Sequence, residues 1–70
     1  MAHMDNQDYK IEARAFKRCR VERDLTLEKM AQMLSIHPST VYRIENGITE
    51  PHERIAARIL RVFPELGRTA

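Results

Sequence analysis

Apolar residues recur at helical spacing along most of the chain, and no segment alternates with period two. Ile11, Ala15, Phe16 and Cys19 form one side of a first segment whose other positions are charged; this predicts a helix from about Asn6 or Asp8 to Glu22. Asp24 and Leu25 interrupt the pattern. Thr26 is a suitable N-cap for the next helix, because its hydroxyl accepts from a first-turn N–H. Glu28 then complements the positive end of the helix dipole. Leu27, Met30, Ala31 and Leu34 give this short second helix one apolar face, and Met33 is read with Met30 as core filling.

Ser35-Ile36-His37 is a connection with little freedom. Pro38 suits the first position of a third helix, which makes His37 its N-cap. Ile36, Val41 and Ile44 continue the apolar stripe to about Asn46, where Gly47 supplies the positive φ that ends a helix. Glu50-Pro51 restarts a helix on the same logic. Ile55, Ala56, Ile59, Leu60 and Phe63 give it one buried face, and Pro64 stops it. The expected fold is all-α: a compact domain of four helices, or of five if the stretch from Pro64 to Ala70 adds a short one.

Composition narrows the class. Seventy residues make one domain near the lower limit for a self-supporting core, a size at which oligomerisation is a common aid. An apolar share of 43% with only two Gly and three Pro argues against a disordered chain. Met1-Ala2-His3-Met4 reads as a cloning remnant, so residues 1–5 are expected to be a disordered start, 6–66 the domain and 67–70 a tail. The lone Cys19 excludes a disulfide within the chain, reads as a small core residue and makes a reducing compartment the default. No apolar run approaches the roughly 18 residues of a membrane span, and no signal peptide is visible, so the expected location is the cytoplasm. His3, His37 and His52 show no zinc-ligand spacing with Cys19, and no nucleophile–base or carboxylate pair emerges. Neither metal, cofactor nor enzymatic activity is expected.

The net charge of +2 is mild, but the cations cluster. Lys10, Arg14, Lys17, Arg18, Arg20 and Arg23 lie in one stretch, and Arg54, Arg58 and Arg61 in another. A local basic face fits a polyanion, although the first group also reads as solubility charges, with one or two near a DNA backbone.

Two short helices joined by three residues must cross steeply, as in a helix-turn-helix. Met30, Ala31, Leu34, Ile36, Val41 and Ile44 fall where two such helices pack on each other, with small Ala31 at the closest approach. Over roughly Phe16 to Phe63, LTLEKMAQMLSIHPSTVYRIENG followed by EPHERIAARIL resembles the lambda-repressor-like (Cro and phage-repressor, XRE-type) family. The chain departs from that pattern at Leu27, where a Gln is frequent, and at Ser35 and Asp24, where Gly is common. At Ser35 a positive φ is expected.

The resemblance implies that the third helix enters the major groove. With Val41 and Ile44 turned inward, the helical period leaves Pro38, Ser39, Tyr42, Arg43 and Asn46 outward. The base-reading candidates are Arg43, whose guanidinium matches guanine O6 and N7, with Ser39, Tyr42 and an apolar contact from Pro38. By resemblance, phosphate would be held at the start of the second helix around Leu27, through backbone N–H groups, and at Asn46, Gly47 and Thr49. Thr40, partly turned toward the second helix, is a phosphate candidate that also reads as structural. Arg20 and Glu45 match family positions that often pair, implying a structural salt bridge.

The function implied is a sequence-specific double-stranded DNA-binding transcriptional regulator. It would act as a repressor, bound as a homodimer to an inverted repeat. Ile48, Pro51, Phe63 and Leu66 are candidates for the dimer surface. Two other readings stand beside it: a protein-interaction adaptor on the same scaffold, and an antitoxin or restriction-controller protein with a protein partner.

Overall fold

The computed structural model describes residues 10–67. The expectations for residues 1–5 and for most of the tail lie outside them. Among the described residues four helices follow in order: α1 (Ala13–Glu22), α2 (Leu27–Leu34), α3 (Pro38–Glu45) and α4 (Glu53–Val62). A 3-10 turn, Pro64–Gly67, closes the described chain in place of a fifth α-helix. There is no strand among the described residues.

α1 begins later than its apolar pattern suggests. Glu12 is extended (φ −81°, ψ 128°), and Lys10 and Ile11 before it are not helical either. Ile11 is nonetheless buried in the core. α4 also starts late, at Glu53 rather than at Pro51. His52 is the N-cap: its Nδ1 accepts the Arg54 N–H at 3.3 Å, and its carbonyl accepts the Ala56 N–H at 2.8 Å.

One core joins all the elements. Phe16, Met30, Leu34, Val41, Ile44, Ile59 and Phe63 are its largest fully buried side chains. α2 packs on α3, α1 on α3, and α2 on α4, while the 3-10 turn closes against α4 and α1. Met33 is not part of this core; it lies on the flank of the α2 stripe and is exposed. Phe63 and Leu66 are buried within the fold, so they offer no dimer surface.

Long side chains tie the periphery together. Arg58 donates Nη1 to the Leu34 carbonyl at 2.9 Å, satisfying an orphan acceptor at the end of α2. Arg23 pairs with Glu65 at 2.6 Å and lies over the Phe63 ring, 4.8 Å from its centroid. Cys19 Sγ donates to the same Glu65 carboxylate at 3.2 Å, so the 3-10 turn is pinned to α1 twice. Burial, then the hydrogen bond to Glu65, pushes the Cys19 thiol up to about 11.

Candidate nucleic-acid interface

α2 is capped at its start by Thr26, whose Oγ1 accepts the Lys29 N–H at 3.0 Å. It ends at Ser35 in the left-handed region (φ 57°, ψ 43°), which turns the chain sharply enough for the Ile36 N–H to reach the Ala31 carbonyl at 2.9 Å. That single residue sets the crossing of α2 and α3. Asp24 (φ 56°) plays the same part between α1 and α2. Both lie where the family pattern favours glycine, and both are strained as L-residues.

α3 starts on an unusual cap. Ser39 donates its backbone N–H to His37 Nδ1 at 3.1 Å, and its Oγ lies 2.8 Å from the same nitrogen. The Ser39 backbone N–H and hydroxyl thus both gather at one ring nitrogen. Pro38 follows at the first helical position. Its ring is half-buried and shares a groove with Lys29, Gln32 and Ile36, so it is turned further toward α2 than the helical period alone indicates.

Ser39, Tyr42, Arg43 and Asn46 are exposed on one face of α3, opposite buried Val41, Ile44 and Glu45. Thr40 is half-buried between the two faces. Asn46 donates its side-chain amide to the Tyr42 carbonyl at 2.8 Å, which fixes the side chain and leaves one amide hydrogen. Gly47 (φ 69°) ends the helix. Its N–H donates to the Ile44 carbonyl at 3.1 Å, and the Ile48 N–H to the Arg43 carbonyl at 2.9 Å. Those backbone donors are therefore committed within the fold. The Thr49 N–H reaches the Arg43 carbonyl only at 3.4 Å, and its hydroxyl makes no hydrogen bond among the described residues. At the start of α2, the first-turn N–H groups of half-buried Leu27 and exposed Glu28 have no intrahelical acceptor.

Behind α3, Arg20 clamps Glu45. Nε donates to Oε2 at 2.6 Å and Nη2 to Oε1 at 3.2 Å, while Nη1 donates to the Leu25 carbonyl at 2.8 Å. The Glu45 side chain is only 3% exposed and that of Arg20 18%. The hydrogen bond to Glu45 raises the Arg20 pKa further above its ordinary value, so the guanidinium is a fixed cation.

A helix-turn-helix family model matches residues 16–66, which takes in α1 from Phe16 onward, all of α2, α3 and α4, and the 3-10 turn except Gly67. The chain belongs to the lambda-repressor-like helix-turn-helix family. It is a DNA-binding helix-turn-helix regulator, in a family that is not enzymatic. No curated protein and no solved structure gives a significant match. In this helix-turn-helix domain no helix among the described residues is long and apolar enough to cross a membrane.

The Arg58 bond to Leu34 and the double tie to Glu65 carry no local sequence signal beyond polar side chains at suitable positions. The cap at His37, by contrast, is readable from the proline that follows it.

Proposed function

We propose that the domain reads double-stranded DNA in the major groove with α3, as a homodimeric transcriptional repressor on an inverted repeat. The observation that carries this is the division of α3: Ser39, Tyr42 and Arg43 are exposed together on one side, and Val41, Ile44 and Glu45 are buried on the other. Arg43 is the principal base reader, because its two parallel donors match guanine O6 and N7. Ser39, held beside His37, offers a hydroxyl that can meet a base edge or a phosphate. Tyr42 and half-buried Pro38 complete the base-facing set through apolar contact with thymine methyl groups. Phosphate is held by the Leu27 end of α2, Thr40, Asn46, and the Gly47 to Thr49 loop through the Thr49 hydroxyl.

Exposed Ile48, with Pro51 beside it, marks the patch for pairing two copies, since Phe63 and Leu66 are interior. A two-fold protein matches a two-fold operator with half-sites about one helical turn apart. Fluorescence polarisation against labelled duplexes at two salt concentrations tests the reading. Binding that weakens steeply with salt supports it. No binding to any duplex at low salt overturns it and leaves the adaptor role.

A further inference from the structure

The helix-turn-helix itself is poor in the cations that DNA binding requires. α2 and α3 carry only Lys29 and Arg43, against Glu28 at the α2 N-terminus. The loop after α3, Ile48-Thr49-Glu50-Pro51-His52, has no Lys or Arg, and Glu53 opens α4 directly after it. Both regions expected to face phosphate therefore carry carboxylates. Neutralisation of phosphate charge by Lys and Arg supplies most of the sequence-independent affinity for DNA, so it must come from elsewhere.

α1 has the missing charge. Arg14, Lys17 and Arg18 are exposed and line one shallow groove with Val21, Asn46, Gly47 and Glu45, whose charge is already matched by Arg20. α1 and the loop meet closely there: a Cβ placed on Gly47 would lie 4.0 Å from the Ala13 Cβ. Asn46 also belongs to the outward face of α3, so the groove continues that face sideways onto α1. Among the described residues, these three cations form no ion pair, whereas Arg20, Arg23 and Arg58 are all committed to internal bonds.

The geometry points to Arg14, Lys17 and Arg18 of α1, together with Asn46, as a phosphate-binding strip that extends the DNA footprint beyond the helix-turn-helix. This rests on the DNA-binding role proposed above. The strip tracks the backbone flanking the base-read positions, so it adds affinity and salt sensitivity without sequence preference.

The test is a polarisation titration of the whole chain against a fluorescein-labelled duplex of mixed sequence, repeated over a range of salt concentrations. The triple variant Arg14→Gln/Lys17→Gln/Arg18→Gln should bind more weakly, with the slope of log affinity against log salt reduced by about 0.9 for each phosphate that is no longer neutralised. If all three hold phosphate, the defect should shrink roughly 40-fold between about 50 and 200 mM salt. The charge-keeping variant Arg14→Lys/Arg18→Lys should retain the wild-type slope, and circular dichroism should show all forms folded. Arg61→Gln, an exposed cation on α4, should leave the slope unchanged. A triple variant with the wild-type slope, or an equal loss per charge at Arg61, overturns the strip while leaving α3 binding intact. A wild-type chain that binds no duplex overturns both.

Discussion

Arg20 holds Glu45 with two donors, at 2.6 and 3.2 Å, and spends a third on the Leu25 carbonyl. One guanidinium thus joins α1, the α1–α2 turn and the buried side of α3. The Glu45 carboxylate is almost fully enclosed. Removing its charge leaves the Arg20 cation without a counter-charge, which costs about 3 kcal/mol for a buried pair. In a domain of this size that is a fall of more than about 10 °C in melting temperature. Glu45→Gln should show it in a thermal melt, and an unchanged Tm would contradict the structural role.

His37 both caps α3 and contacts the Ser39 hydroxyl at 2.8 Å. His37→Ala should cost about 1 kcal/mol, the usual value of an N-cap. It should also relax base preference where Ser39 meets DNA, because the hydroxyl is then free to donate or accept. Urea denaturation measures the first effect and binding to single-base operator variants the second. His37→Asp should restore stability while weakening binding, since it caps well but puts an anion near phosphate.

Much of this architecture is legible in the sequence because it is written locally. Thr26, Pro38 and Gly47 mark helix ends, and Met30, Ala31, Leu34, Val41 and Ile44 mark the faces that meet. Asp24 and Ser35 are readable as backbone positions, since glycine is common there in the family and both have positive φ. What periodicity does not carry is long-range. Ile11 is buried in the core although it lies outside the helix its spacing predicts. Arg58 finds the end of α2 at 24 residues' separation, and Arg23 finds Glu65 at 42. Met33 misses the core expected of it, while Phe63 keeps its buried place and drops out as a dimer candidate, because exposure depends on which neighbour covers a flank. The charge of α1 reads in sequence as a solvated face; only the fold places part of it beside Asn46.

Ser35 carries its left-handed conformation at a cost that glycine does not have. Ser35→Gly should raise stability by up to about 1 kcal/mol, because the relieved strain exceeds the added flexibility of the unfolded chain. DNA affinity should be unchanged, since the turn geometry is retained. A thermal melt showing destabilisation would mean that the Ser35 side chain contributes to the turn.

The Cys19 thiol, pushed up from 9.0 to about 11 chiefly by burial, stays protonated and unreactive in the folded protein at neutral pH. Labelling by a thiol reagent should be slow in buffer and fast in denaturant. The linkage has a definite sign: between about pH 9 and 11 the unfolded chain loses this proton more readily than the folded one. Stability from this group is therefore complete below pH 9 and declines as pH rises through 11. Cys19→Ala should remove that component of the alkaline decline in urea titrations at successive pH values.

The most direct measurement is selection of duplexes from a randomised library by the wild-type protein and by Arg43→Ala and Asn46→Ala. The wild type should enrich an inverted repeat. Arg43→Ala should lose preference at one base position in each half-site, by about 1–3 kcal/mol, whereas Asn46→Ala should weaken all sites about equally. Failure of the wild type to enrich any sequence, or an unchanged motif with Arg43→Ala, would contradict the reading of DNA by α3.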